Sequence, residues 1–459
     1  MDYRIKCTSG YIKAICLVFS ISCFIAAFAA TIYLNLWGHV WKDFFKLLTM
    51  PSPLVTDYFK LGNLASAFLN AGMCGLACTF LMIRLKAECR PSMLAGYFLV
   101  IAHCFYGLNF LSMWPPILGI LLFSKVYKID FRHNLDMAMF STAFGPFISE
   151  MLFRYHVWDY YIFYKVQISF LGFFYVIIFS IFLGFAIPAM LPGALKLHKG
   201  FNLYNGGLAF GLLGLFIYSF MYKTFGIEPP EIPPILNVTY ALHGNSYQLF
   251  VTIYFLIMFA IFLFAGWCLN GNSFQGYKEL LKSNGHTADF FAEFGAPKVL
   301  INIGFYGLMI LGYFTLVVTF TDGAGFTGPT VGVILAALTF CSQGQHPANV
   351  WPVFIGYAVL SLLVSGICFI GGLDIPWTLS TQGYINGAAF ATGLCPIAGR
   401  YGKRYGILAG FVAAVICTST NAMHGGFMLY NGGLTTGITA LILVPCLEYY
   451  WKPKKQSTK

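Results

Sequence analysis

Charged residues are scarce in this sequence. Only 9% of its 459 residues are Asp, Glu, Lys or Arg, whereas 58% are hydrophobic and the mean hydropathy is +0.74. A soluble domain carries about 25% charged residues to cover its surface, so the composition excludes a soluble globular protein. Uncharged apolar runs of about 20 residues, such as 168–191, recur without period-two alternation and are typical of membrane-spanning helices. We therefore predict an all-α polytopic membrane helical bundle.

Several chemical motifs are also missing. The chain has no GxxxxGK[ST] phosphate loop, no CxxC pair and no metal-ligand spacing among its thirteen cysteines. The net charge of +11 comes from short basic clusters between apolar runs, which indicates membrane topology rather than nucleic-acid binding. We therefore predict no catalytic residues, no cofactor, no metal and no nucleic-acid partner. The alternatives to a transporter or channel are an intramembrane enzyme and a structural or signalling membrane protein.

An internal duplication is the clearest signal in the sequence. The segment from His198 to Leu208 recurs from His424 to Leu434, with nine of eleven positions identical at an offset of 226 residues. Weaker matches begin at positions 70, 107 and 140 and recur at offsets of 232, 237 and 250 residues. They occur in the same order in both halves. Because these matches keep their order, the chain is predicted to contain two copies of one membrane unit.

The predicted domains follow from this repeat. They are a first membrane repeat (1–222), a linker with four prolines (223–246), a second membrane repeat (247–451) and a basic tail (452–459). Each repeat divides into seven apolar segments, which gives about 12–14 membrane segments, and the shortest are predicted half-helices. The segments are 14–35, 62–83, 92–111, 114–127, 135–153, 167–193 and 200–222, then 247–270, 297–320, 329–343, 350–372, 383–399, 405–421 and 426–447.

The distribution of basic residues predicts the topology. If the N-terminus is cytoplasmic and every segment crosses, 21 Lys and Arg residues lie inside and 6 lie outside, as the positive-inside rule requires. Because seven crossings are an odd number, the second repeat is predicted to be inverted relative to the first. We therefore expect a multi-pass protein of the cell membrane with both termini in the cytoplasm.

Candidate solute-binding residues are the side chains that the two repeats share. Asn70, Asn205, Asn302 and Asn431 each begin an Asn-x-Gly segment in or beside an apolar run. An amide offers donors and an acceptor without the cost of burying an ion, and a nearby glycine allows close approach of the backbone. Helix packing with a hydrogen bond between helices is the alternative explanation for the same residues.

Further candidates lie beside predicted helix starts. Asn109 and His346 precede Trp-Pro pairs, and Thr142 and Thr392 precede prolines, so each could contact the solute or cap a helix. Candidates for proton relay or gating are His198, His424 and Glu150. The histidines could equally be boundary residues, and the repeat counterpart of Glu150 is Arg400.

Two resemblances complete the sequence interpretation. The segments around Tyr204-Asn205 and Tyr430-Asn431, with their Tyr-Asn-Gly-Gly-Leu-x-x-Gly pattern, resemble a stretch of urea-channel proteins, which implies inverted halves with half-helices around a pore for small neutral solutes. The whole chain resembles bacterial multi-span membrane proteins of unknown function. We therefore expect a passive or proton-coupled conduit whose partners are a small polar solute and the lipid bilayer, with homo-oligomers left open.

Overall fold

The structure is a computed structural model that describes residues 3–155, 168–229 and 245–450, and every regular element in these ranges is helical. Eight helices within them are long and apolar enough to cross a membrane. The prediction of an all-α, multi-pass membrane protein is thereby confirmed. Most of the predicted linker 223–246 and the tail 452–459 lie outside the described residues.

The helices of the first half overlap the predicted segments, although α1 begins well before position 14 and α4 ends well before position 111. A single helical turn, Tyr58–Leu61, lies between α2 and α3, and a π turn at Ser219–Lys223 extends α9. The helices are α1 (Tyr3–Tyr33), α2 (Val40–Thr49), α3 (Leu64–Arg84), α4 (Pro91–His103), α5 (Trp114–Val126), α6 (Leu135–Ser141), α7 (Gly145–Phe153), α8 (Phe170–His198) and α9 (Asn205–Tyr218).

The helices of the second half appear in the same order. Single turns at Tyr277–Leu280 and Phe290–Phe294 occupy the place of α2 and the turn that follows it. The helices are α10 (Asn245–Leu269), α11 (Ala296–Phe320), α12 (Gly328–Ala337), α13 (Pro347–Gly371), α14 (Gln382–Ala391), α15 (Cys395–Tyr401), α16 (Lys403–Ile416) and α17 (Asn431–Tyr450).

Local sequence explains where many of these helices begin. At the start of α3, the Asn63 side chain accepts a hydrogen bond from the Ser66 amide at 2.8 Å, and the Ser66 hydroxyl accepts one from the Asn63 amide at 2.9 Å. The Thr327 hydroxyl caps α12 by accepting a hydrogen bond from the Thr330 amide at 3.1 Å. These bonds satisfy amides that have no partner inside the helix.

Two predicted segments are broken helices. A 3₁₀ turn at Thr142–Phe144 separates α6 from α7, and an equivalent turn at Thr392–Leu394 separates α14 from α15. Pro146 and Pro396 are the second residues of α7 and α15. Because proline has no amide hydrogen to continue a helix, the regular α-helical hydrogen bonding is interrupted before each of them.

Helix pairs within each half use equivalent glycines. Helix α5 approaches α8 so closely that a Cβ atom on Gly119 or Gly184 would collide with the backbone of the opposite helix. The same collision would occur at Gly356 on α13 and Gly410 on α16. Their positions differ from those of the first pair by the repeat offsets of 237 and 226 residues, so the two halves share one packing arrangement.

The two halves meet through α9 and α17. A Cβ atom on Gly207 of α9 would collide with the backbone of Gly433 on α17, and one on Gly433 would lie 2.9 Å from Cα of Gly207. These glycines are repeat equivalents, at an offset of 226 residues. Helices α4 and α12 form a second contact between the halves. The contact of equivalent residues is the pattern found on a two-fold axis.

Candidate functional site

The segment before α9 binds the second half of the chain, and the segment before α17 binds the first half. The amide of Leu203 donates a hydrogen bond to the carbonyl of Gly393 at 3.0 Å, and the amide of Leu429 donates one to the carbonyl of Ala143 at 2.9 Å. Gly393 and Ala143 lie in the 3₁₀ turns of the two broken helices. The repeated Tyr-Asn-Gly-Gly segment of each half is therefore anchored on the broken helix of the other half.

Asn70 and Asn302 hold loops in place. The Nδ2 of Asn70 donates hydrogen bonds to the carbonyls of Cys104 and Leu108, both at 2.9 Å. The Nδ2 of Asn302 does the same to Cys341 and Gln345, at 2.7 and 2.8 Å. Both amides are fully buried. The two side chains stabilise the chain reversals after α4 and α12, which agrees with the packing interpretation of these residues.

Asn109 and His346 organise the starts of α5 and α13. The Asn109 side chain accepts a hydrogen bond from the Ser112 amide at 2.8 Å and donates one to the carbonyl of Leu47 at 2.9 Å. The amide of His346 donates to the Asn349 side chain at 3.1 Å, and its Nε2 lies 2.9 Å from the carbonyl of Ser283. Asn109 thus ties the start of α5 to α2, and His346 ties the start of α13 to the segment after the turn Tyr277–Leu280.

The threonines of the broken helices bind backbone carbonyls. The hydroxyl of Thr142 donates to the carbonyl of Met139 at 2.7 Å, and that of Thr392 donates to Ala389 at 2.6 Å. The Thr392 hydroxyl also accepts a hydrogen bond from Nε2 of Gln345 at 2.7 Å. Both side chains are completely buried, so they stabilise the breaks in the two helices.

A small cavity with several polar groups in a mostly apolar wall lies where the halves meet. Its volume is about 150 Å³, and α14, α17 and the segment between α16 and α17 provide most of its wall. None of the described residues that line it carries a formal charge. The lining side chains with polar groups are Tyr106, Asn386, Cys417, Thr418, Asn421, Asn431 and Thr435, and the apolar ones are Leu54, Val55, Phe390 and Leu429.

Hydrogen bonds orient the polar groups of this cavity. The Nε2 of Gln382 donates to Oδ1 of Asn386 at 2.8 Å, and Nε2 of His424 lies 3.1 Å from Oδ1 of Asn431. The hydroxyl of Thr435 lies 2.8 Å from that of Thr420. The buried Oδ1 of Asn421 has no hydrogen-bond partner among the described residues. Asn421 therefore offers an acceptor at the cavity wall.

The cavity contains one of the four repeated asparagines. Asn431 lines it, whereas the buried Oδ1 of its counterpart Asn205 has no partner within the described ranges. His424 contacts Asn431, and His198 is buried with neither ring nitrogen bonded to a described residue. The predicted pair of histidines thus occupies two different environments.

Glu150 lies in a buried ion pair. The Nε of Arg154 donates hydrogen bonds to both of its carboxylate oxygens at 2.9 Å, and the hydroxyl of Tyr222 donates to Oε1 at 3.0 Å. Glu150 and Arg154 are 0% and 1% exposed. Arg400, the repeat counterpart of Glu150, is instead exposed, with its guanidinium 5.9 Å from the ring centroid of Phe201. The two halves therefore differ in charge at this position.

The sequence interpretation missed His103. Its fully buried ring lies at the end of α4, with its centroid 5.4 Å from that of Tyr106 and 5.2 Å from that of Tyr430. A histidine inside the apolar run 92–111 was the available signal, because an ionisable residue at membrane depth is a functional candidate by default. A comparison of the two repeats does not identify His103, because its counterpart is Phe340.

Comparison with known proteins identifies a family but no activity. The model of the family described as "Protein of unknown function (DUF1576)" matches residues 37–223 and 269–449. These two ranges fall in the first and second halves of the chain. No curated protein and no solved structure matches the sequence. The resemblance to urea channels therefore stays a prediction.

Proposed function

The chain belongs to the DUF1576 family, and we propose that this member is a membrane conduit for a small, uncharged polar solute. One observation carries the proposal: a cavity whose mostly apolar wall includes several amides and hydroxyls lies where the two halves of a multi-pass membrane protein meet. In proteins built from two related membrane repeats, solute sites are commonly found at the contact between the repeats.

The chemistry of the cavity favours a neutral solute. A bare ion loses its hydration in a confined site and needs an opposite charge or several well-placed dipoles to replace it. The described cavity lining has no carboxylate, ammonium or guanidinium group, but Asn386, Asn421 and Asn431 present amides and Thr418 presents a hydroxyl. These groups can both donate to and accept from a solute. The volume of about 150 Å³ accommodates a molecule of a few non-hydrogen atoms.

Reciprocal contacts support the predicted inversion of the two repeats. Gly207 meets Gly433, and the segments before α9 and α17 bind the opposite broken helix in equivalent ways. A two-fold relation combined with an odd number of crossings per half gives an inverted pair, as the basic residues predict. Such a pair exposes related pathways to the two sides of the membrane. We propose this arrangement, with both termini in the cytoplasm, as the basis of conduction.

The proposal is tested by solute flux into liposomes that contain the purified protein. The probes are formamide, acetamide, urea and glycerol, and shrinkage followed by reswelling is recorded by light scattering. We expect the protein to accelerate uptake of at least one probe over protein-free liposomes. Flux at the protein-free level for every probe would count decisively against a conduit for small neutral solutes.

Two variants test the position of the site. Asn421→Ala and Asn431→Ala remove amides from the cavity wall and are expected to reduce the flux several-fold. Asn134→Ala is the matched control, because Asn134 makes one hydrogen bond to Ser124, at 2.9 Å, and does not line the cavity. Equal flux through all three variants and the unaltered protein would remove the cavity from the proposed pathway.

A further inference from the structure

Three aromatic side chains surround the ring of His103 beside the cavity. We define the His103 cage as His103, Tyr106, Phe390 and Tyr430. The centroid of the His103 ring lies 5.4 Å from Tyr106, 5.2 Å from Tyr430 and 6.5 Å from Phe390, to which it is nearly parallel. Tyr106 and Phe390 also line the cavity. The cage therefore shares two walls with the cavity and lies between residues of both halves.

The polar groups of this cage have no protein partner. Neither ring nitrogen of His103, nor the hydroxyl of Tyr106 or Tyr430, is hydrogen-bonded to any residue in the described part of the chain. The exposed fractions are 0% for His103, 1% for Tyr106 and 3% for Tyr430. A buried polar group without a partner destabilises the folded state. Four such atoms in one place are therefore costly for the protein to keep.

The repeat counterparts of His103 and Tyr430 show that packing does not require the unsatisfied polar atoms of these two residues. The counterpart of His103 is Phe340, which has a ring of similar shape and no polar atom. The counterpart of Tyr430 is Tyr204, whose hydroxyl donates a hydrogen bond to the carbonyl of Ala336 at 2.7 Å. The counterpart of Tyr106 is Gln343, whose Nε2 is also buried without a partner among the described residues. The contrast is therefore confined to His103 and Tyr430, whose counterparts are apolar or satisfied whereas they are polar and unsatisfied. This difference points to a ligand as the missing partner.

We propose that the His103 cage is a second binding site for the conducted solute, which reaches it from the cavity. The site takes a compact, uncharged molecule with at least one hydrogen-bond donor and one acceptor. Neutral histidine provides one donor and one acceptor, and each tyrosine hydroxyl provides both. The inference rests on the proposed function and deepens it, because it locates the step at which the solute loses its remaining water.

The surroundings of the cage disfavour ions. Within the described residues, none of the ion pairs and neither of the cation–π contacts includes a cage residue. An ion that entered would have to give up its hydration without an opposite charge to replace it. Neutral amides and polyols need only hydrogen bonds, which the four unsatisfied atoms supply. Anions have no charged partner in the cage, whereas the aromatic faces can attract a cation, so ammonium is the ion that tests selection against charge most strictly.

The test compares two kinds of buried tyrosine. Tyr430→Phe removes an unsatisfied hydroxyl, whereas the control Tyr306→Phe removes a hydroxyl that donates to the carbonyl of Ala337 at 2.9 Å. We expect Tyr430→Phe to keep or raise the melting temperature and to lower the flux of formamide and glycerol about tenfold, the effect of one lost hydrogen bond of typical strength. Tyr306→Phe is expected to lower the melting temperature and to leave the flux unchanged.

A second variant uses the residue of the other half. His103→Phe places at position 103 the side chain found at its counterpart Phe340, so that ring packing is retained while both nitrogens are removed. It is also expected to lower the flux of formamide and glycerol about tenfold, by the same hydrogen-bond argument. Monodisperse elution in detergent and the melting temperature confirm that each variant is folded.

The outcomes separate the two proposals. If the unaltered protein conducts no neutral probe, the proposed function is overturned. If it conducts them and folded Tyr430→Phe and His103→Phe conduct equally well, only the cage is overturned. If ammonium or acetate ions pass as fast as formamide in the same liposomes, the assignment to uncharged solutes is wrong. Reduced neutral flux in both variants, with ion flux at the protein-free level, supports the inference.

Discussion

At the scale of single residues, the same Asn-x-Gly motif occurs in two kinds of environment. Asn70 and Asn302 are buried and bound to backbone carbonyls, whereas Asn431 lines the polar cavity. All of them begin the same Asn-x-Gly pattern. The pattern identifies positions where an amide lies among apolar side chains. It cannot show whether the partner is a neighbouring loop or a solute, because that depends on contacts between distant segments.

The structural role of Asn70 leads to a stability prediction. Asn70→Ala removes hydrogen bonds to Cys104, Leu108 and the amide of Phe110, at 2.9, 2.9 and 3.1 Å, and leaves buried backbone groups without partners. We expect a loss of about 2–4 kcal/mol in the free energy of unfolding. Denaturant titration in detergent measures this loss.

The control is Asn134→Ala, which removes a single hydrogen bond, to Ser124. It is expected to cost about 1 kcal/mol. Asn302→Ala, at the equivalent position of the second half, should resemble Asn70→Ala. Stability of Asn70→Ala equal to that of the control would show that the loop after α4 does not depend on this amide.

His103 shows where residue-scale prediction failed. The repeat comparison selects residues that are alike in both halves, and these include the segments before α9 and α17 and the threonines at the two helix breaks. Such a comparison gives little weight to positions where the halves differ, although the pair Glu150 and Arg400 is one such difference. The cage lies at such a difference, with histidine opposite phenylalanine. Sites that arise by divergence after duplication are missed when only shared residues are considered.

At the scale of helices, composition predicted most segments within a few residues. Helices α3, α5 and α11 begin and end within two residues of the predicted runs 62–83, 114–127 and 297–320. The reason is that each run is bounded by capping residues, prolines or charges, which act locally. Segment 329–343 is longer than its helix, since α12 ends at Ala337 and a chain reversal held by Asn302 follows.

The starts of α9 and α17 were predicted several residues too early. Segments 200–222 and 426–447 were expected to be helical throughout, but the helices begin at Asn205 and Asn431. Apart from Asn202, the residues before them are apolar and continue the hydrophobic run. They are held outside a helix by bonds to the broken helices of the opposite half. Hydropathy does not reveal such long-range pairing.

The crossing of α9 and α17 gives a prediction for this pair of elements. Gly207→Ala introduces a Cβ atom that collides with the backbone of Gly433. Backbone cannot rotate out of the way as a side chain can, so we expect a loss of about 1–3 kcal/mol in unfolding free energy, or more if the helices separate. Thermal unfolding in detergent provides the measurement.

The adjacent glycine is the matched control for this crossing. A Cβ atom on Gly206 would lie 3.5 Å from Phe210, an ordinary van der Waals distance. Because alanine favours a helix more than glycine does, Gly206→Ala should be neutral or stabilise by up to about 1 kcal/mol. If both alanine variants melt at the same temperature, the close crossing does not contribute to stability as described.

At the scale of the whole molecule, the order of helices and the packing of the halves agree with the predicted duplication. Sequence segments that match between the halves make similar contacts in the structure. These are loops held by asparagines, broken helices and close helix crossings at glycines. The polar cavity was not predictable in the same way. It combines residues from 54 to 435, which only the assembled structure brings together.

The predicted topology can be tested on intact cells. If both termini are cytoplasmic and each half crosses the membrane an odd number of times, the linker 223–246 lies outside. An epitope tag inserted in that linker should be cleaved by added protease, whereas tags at either terminus should be protected until the cells are opened. Cleavage of a terminal tag on intact cells, or protection of the linker tag, would contradict the inverted arrangement.

The meeting of Gly207 with Gly433 also bears on the ancestry of the chain. Contact between equivalent residues is what a dimer of half-length subunits has on its dyad. Once gene fusion joins such subunits, a mutation no longer appears twice in the assembly. One copy can then keep Leu195 and Ala209 while the other acquires Asn421 and Thr435 at the same positions. After fusion, the two halves of a symmetric fold can therefore have different side chains at equivalent positions.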